Sequence, residues 1–147
     1  MQFNLEINRD QYAIRAYGPG TVTVTIPQGA ADPAPEALDA IGPEASRVRQ
    51  EILSHSAVIT PTRLLRNWVP QSFEELDPSH MMILVELAPE IVILGVGASL
   101  RWPASSIVAP LAAAGIGLEV MNTAAACRTY NILASESRKV VAAILVE

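Results

Sequence analysis

A chain of 147 residues fits one domain with one core, but half of its residues are apolar and only 17% are charged. A domain of that size cannot bury so much apolar surface, so part of it is expected to meet another protein or a second copy of the chain. The net charge of −5, with no Lys/Arg run, argues against nucleic acid as the main partner, and the lone Cys127 rules out an internal disulfide and suits a reducing cytoplasm. Lys139 is the only lysine, and the arginine- and alanine-rich composition points weakly to a GC-rich bacterial genome. The first residues, MQFNLEINRDQYAI, lack the basic and apolar regions of a signal peptide. The most apolar stretch, Met81 to Ala98, is interrupted by Glu86, Pro89 and Glu90, so no membrane span is expected.

Tyr12 to Ile26 reads as a hairpin, with alternating apolar residues on either side of Gly18-Pro19-Gly20. From Pro27 to about Gly42 the chain is rich in Ala, Pro, Gly and acids, the composition of an exposed loop; Ser46 to Leu53 reads as a short helical turn, and the whole insertion spans about 27–56. Ser56 to Thr60 and Leu64 to Val69 are expected as two short strands around Thr60-Pro61-Thr62. Asp77-Pro78 starts a helix, because the aspartate can cap it and the proline suits its first position; the helix stops before Pro89. Ile91 to Leu94 is continuously apolar, as in a strand buried on both faces.

A second helix is expected between Trp102 and Ala114. It either begins near Ser106, so that Pro110 lies in the first turn, or kinks at Pro110, and Gly115 closes it. Ile116 to Val120 forms a strand, Asn122 or Thr123 caps a helix reaching Ala134, and Val140 to Val146 is the last strand. Alternation of this kind, preceded by hairpins, gives an α/β domain of three layers around a mixed central sheet.

No complete catalytic constellation emerges. Gly95-Val96-Gly97 after a strand, with Glu119 further on, partly imitates a dinucleotide fingerprint. The imitation fails at Leu100, which stands at the third glycine position, and at Arg101-Trp102-Pro103, which delays the helix. On the helix from Thr123 to Ala134, positions 125, 126, 129, 130, 132 and 133 are expected to form the apolar face, with Ala124, Cys127, Arg128 and Asn131 opposite. Cys127 has no evident base or cation to activate it and reads as a packing residue. Arg128 and Arg138 fit ion pairs with Glu119 or Glu136 or, alternatively, anion binding. Asn131 fits either a backbone-satisfying role or a ligand site. Trp68 and Trp102 fit core positions or, if exposed, an interface anchor. Two distant histidines and one cysteine offer no metal-ligand spacing, and no cofactor is expected.

The runs PEIVILGVG (89–97), GIGLEVMNTAAACRTYNIL (115–133) and ESRKVVAAIL (136–145), with weaker support from ITP (59–61) and Trp68, resemble the family of complex I assembly factor three and its bacterial and archaeal relatives. The chain departs from the family pattern at Asn122, where aspartate is common, and at Ser137, where glycine is common. The resemblance implies a three-layer domain with a mixed sheet and, in some members, a role in assembling the respiratory NADH dehydrogenase; it brings no catalytic residue. Two functions are therefore carried forward. The first is a non-enzymatic module binding respiratory-complex or membrane-biogenesis components, cytoplasmic and peripheral to the membrane through its partner. The alternative is a small-molecule or nucleotide binder at the strand carboxyl ends. Gly95, Gly97, Arg101, Glu119, Cys127, Arg128 and Asn131 are the candidate ligand or partner surface.

Overall fold

The computed structural model describes residues 10–27, 29–30 and 49–146. Most of the expected loop from Pro27 to Gly42 lies outside the described residues. Two strands, β1 (Ala13–Gly18) and β2 (Thr21–Ile26), form the expected hairpin, and β3 (Arg49–Leu53) pairs antiparallel with β2. The helical turn expected at Ser46 to Leu53 is thus, over its described part, a strand. Only Leu53 of β3 is buried, so pairing with the edge of β2, which local pattern does not reveal, decides its conformation. A register shift between Ile14 and Ala16 leaves Arg15 as an unpaired bulge.

A second, five-stranded sheet has the order β5-β4-β8-β6-β7. Its members are β4 (Ala57–Ile59), β5 (Leu64–Leu65), β6 (Ile91–Gly95), β7 (Gly117–Met121) and β8 (Val140–Ile144). The three central and C-terminal strands run parallel, while β4 and β5 are antiparallel, so the sheet is mixed. Only β4 and β5 of the antiparallel N-terminal strands join it; β1–β3 remain a separate sheet.

Side-chain alternation sorts the core into two clusters. Val140, Ala142 and Ile144 of β8 and Ile93 of β6 face α3 (Thr123–Ser135) and the inner residues Ile14, Val22 and Val24 of the three-stranded sheet. Val141, Ala143, Val92 and Leu94 face the other way, onto Met81 and Leu84 of α1 (Pro78–Glu86) and Leu111 of α2 (Ser105–Ala113). The layers are therefore α1 with α2, the five-stranded sheet, and α3 with the three-stranded sheet. Because β6 to β7 and β7 to β8 step in opposite directions along the sheet, right-handed crossovers require α2 and α3 on opposite faces, as observed.

The helix boundaries follow local chemistry. The Asp77 carboxylate accepts the Ser79 N–H at 2.8 Å, and Pro78 occupies the first turn. The Asn122 side chain caps α3 by accepting the Ala125 N–H at 2.8 Å. The helix α2 begins at Ser105 with Pro110 inside it, so the Ser106 carbonyl loses its usual donor. At its end, Gly115 at φ 71° closes a Schellman motif, with Gly115 N–H to Ala112 O and Ile116 N–H to Leu111 O. The same two bonds close α3, from Ser137 to Ala134 and from Arg138 to Leu133, but there the left-handed position, φ 61°, holds a serine.

Asn131 ties the layers together. Its side-chain carbonyl accepts the Ile14 N–H at 2.9 Å and its amide donates to the Ile14 carbonyl at 2.7 Å. One residue back, the Tyr130 hydroxyl donates to the Tyr12 carbonyl at 2.7 Å. The outer edge of β1 is thereby satisfied by a helix, which leaves it no reason to extend the larger sheet.

Two stability outcomes follow. Asn131→Ala strands two buried backbone groups of β1 and is expected to cost about 3 kcal/mol in urea unfolding, at roughly 1–3 kcal/mol per orphaned group. Ser137→Gly relieves a left-handed side-chain penalty of about 1–2 kcal/mol against a glycine entropy cost of about 0.5–1 kcal/mol, so it is expected to stabilise the fold slightly, by about 0.5 kcal/mol in the same assay.

Candidate functional site

At the strand carboxyl ends, where open α/β sheets tend to bind ligands, the turn after β6, the start of α3 and the end of β8 bond to one another. Thr123 is the clasp. Its N–H donates to Gly97 O at 2.8 Å, its hydroxyl accepts the Gly97 N–H at 2.9 Å, and the same hydroxyl donates to Leu145 O at 2.8 Å. Val96 N–H to Met121 O and Leu145 N–H to Gly95 O complete the seam. The N-terminus of α3 thus spends its first donor on the β6–α2 turn.

Gly95 is small because the helix lies on it: a Cβ there would stand 3.1 Å from Ala126 Cβ, 3.1 Å from Ile144 Cδ1 and 3.3 Å from Thr123 Cα. Gly97 adopts φ 103°, a conformation open to glycine. Both glycines serve packing and turning, and the helix after them starts only at Ser105.

The face of α3 is set differently from the expectation. The buried positions are Ala126, Cys127, Tyr130, Asn131 and Ala134, whereas Ile132 is 48% exposed. Polar Asn131 and apolar Ile132 exchange their expected places because Asn131 finds backbone partners on β1. Cys127 is fully buried beside it, and burial pushes its thiol up to about 12, outweighing the opposing pull of Arg128. Burial also raises the Tyr130 hydroxyl.

The charged candidates do not converge. Arg128 is exposed and donates to the Tyr17 hydroxyl at 3.3 Å, and Arg138 pairs with Glu90 at 3.3 Å; neither pairs with Glu119 or Glu136 among the described residues. Glu119 lies exposed on β7, the edge strand of its sheet. Arg101 bridges to Glu74 at 2.6 Å and stacks on the Phe73 ring at 4.4 Å, fixing the β6–α2 loop against the 3-10 turn Phe73–Glu75. The seven candidates are therefore split between a sealed turn, a buried helix face and separate surface positions.

That loop also carries what sequence reasoning only touched on. Trp102 is 69% exposed and its neighbour Leu100 52%, while Trp68 is buried with its indole N–H donating to His80 O at 3.3 Å. Among the described residues, no group of His, Cys, Asp and Glu could hold a metal ion, and no helix is long and apolar enough to cross a membrane.

A raised thiol has a signed consequence. Cys127 ionises near pH 9 when unfolded but only near 12 when folded, so its contribution is fully present below about pH 9 and is lost as pH rises towards 12. Native protein is expected to resist thiol reagents at pH 8, and unfolding free energy to fall by up to about 1.4 kcal/mol per pH unit above pH 9 from this group. Cys127→Ala should remove that part of the slope in pH-resolved denaturation.

Comparison with known proteins agrees with this architecture. A family model described as a protein of unknown function (DUF498/DUF598) matches residues 38–145. The 13 kDa major membrane protein of Francisella tularensis subsp. holarctica is 28% identical over 93 residues, covering 63% of this chain and 76% of that protein. The NADH dehydrogenase (ubiquinone) 1 alpha subcomplex assembly factor 3 of Danio rerio is 33% identical over 89 residues, 60% of this chain and 51% of that protein. The chain spans about half the length of the assembly factors it matches. A crystal structure of a Bordetella parapertussis protein superposes with a TM-score of 0.71 at 30% identity, covering 93% of this chain and 97% of that one. An NMR structure of a Xanthomonas campestris protein gives 0.69 at 33% identity, covering 99% and 92%. A Bordetella pertussis protein with an Mth938-like domain, 24% identical with a TM-score of 0.68, shares the fold. The chain belongs to the DUF498/DUF598 family, the family of complex I assembly factor three and its bacterial relatives.

Proposed function

We propose that the chain is a non-enzymatic assembly module that docks on a protein component of the respiratory NADH dehydrogenase and reaches the membrane surface through that partner. The observation that carries this reading is the exposure of Trp102 and Leu100 on the loop whose Arg101 bridges to Glu74 and stacks on Phe73. A large aromatic with two side-chain torsions loses little conformational freedom on docking, and such residues dominate binding energy at interfaces. The names of the assembly factors among its relatives supply the direction of the proposal. Buried Cys127 and the dispersed charges offer no nucleophile or acid–base pair to a competing enzymatic reading.

Mild-detergent pull-downs on membranes from a source bacterium test it. The wild-type chain is expected to recover NADH dehydrogenase subunits, and Trp102→Ala to lose most of that recovery, at a cost of about 2 kcal/mol or more, with an unchanged melting temperature. Recovery of no respiratory component by the wild type, or equal recovery by the variant, would overturn the reading.

A further inference from the structure

The opposite end of the five-stranded sheet is open. There, at the amino ends of β6 and β8, a groove of about 500 Å³ lies between the C-termini of α1 and α3 and the turn that follows β4. That volume is within the usual range for small-ligand sites. Half-buried Pro61 and Leu87 give it an apolar floor, while its rim carries Arg63, Arg138 and Lys139.

The three cations are not equivalent. Arg138 bridges to Glu90 at 3.3 Å, and the helix ends beside the groove favour some positive charge on structural grounds alone. The Arg63 guanidinium and the Lys139 ammonium, however, have no hydrogen-bonded or ionic side-chain partner among the described residues. Both are exposed and stand over an apolar floor in a chain whose net charge is −5. The rim's one acid, Glu86, likewise forms no ion pair there. Among the described residues, both non-glycine positions of left-handed backbone, Ala88 at φ 51° and Ser137 at φ 61°, lie on this rim, at the ends of the two helices.

We propose that this groove binds a small amphipathic anion, an acid group on a short apolar body, with Arg63 and Lys139 holding the anionic oxygens and the apolar floor taking the body. Glu86 opposes such a ligand, so its removal should tighten binding. The site lies at the end of the sheet away from Trp102 and is independent of the docking reading.

The test is amide chemical-shift titration of the full chain with hexanoate, butyl phosphate and inorganic phosphate in parallel. Saturable shifts centred on Ala88, Ser137 and Lys139 are expected with the first two. Their ranking shows whether the acid group is a carboxylate or a phosphate ester, and weaker binding of inorganic phosphate shows the contribution of the floor. Arg63→Gln with Lys139→Gln should weaken binding about tenfold, the scale of one charge-assisted hydrogen bond, whereas Glu86→Gln should strengthen it. These exposed substitutions should leave the melting temperature unchanged. No saturable shift with any of the three, or shifts that both variants leave unaltered, would overturn the proposal.

Discussion

A single side-chain amide carries the joint on which this architecture depends. Two separate sheets must share one core, and β1 has an edge that no strand covers among the described residues. Asn131 meets the need by presenting a carbonyl and an N–H in the spacing of a peptide group, so that β1 pairs with a helix as it would with a neighbour. Tyr130 repeats the device at Tyr12, and Tyr12 N–H reaches Pro61 O at 3.0 Å. The bond from Tyr130 and the Asn131 pair come from consecutive residues of α3, which therefore both covers the large sheet and closes the small one.

The same helix decides where the molecule can meet other molecules. Its N-terminus bonds to Gly97 and Leu145, so at the end of the sheet where ligands enter many α/β proteins the first turn of α3 is engaged by the protein itself. What stays accessible is the loop that passes over that seam, with Trp102, and the groove at the far end between two helix termini.

Much of this order was legible in the sequence. The helix starts at Asp77-Pro78 and Asn122, the Gly115 stop and the apolar β6 all rest on local rules that operate within a few residues. The polar and apolar faces of α3 were not legible, because Asn131 is buried by a partner more than a hundred residues away and Ile132 is left outside. The strand β3 was hidden for the same reason, since its conformation comes from the edge of β2 rather than from its own pattern. The candidate site shared this weakness. Glycine at 95 answers to the close approach of α3 and at 97 to a left-handed turn, and sequence spacing alone does not distinguish a phosphate from a helix as the group that approaches.

The near contact of Gly95 with Ala126 has a mechanical consequence. Helix α3 rests on Gly95 through Ala126, two residues that lack bulk, while its Thr123 and Asn131 bonds, two turns apart, tie it to the glycine turn and to β1. A methyl group added beneath it would tilt or lift a rigid rod, and the displacement would be felt at once in the glycine turn and at the edge of the other sheet. A change at any one of these positions is therefore felt at the others, and the helix behaves as a gauge set by all of them together.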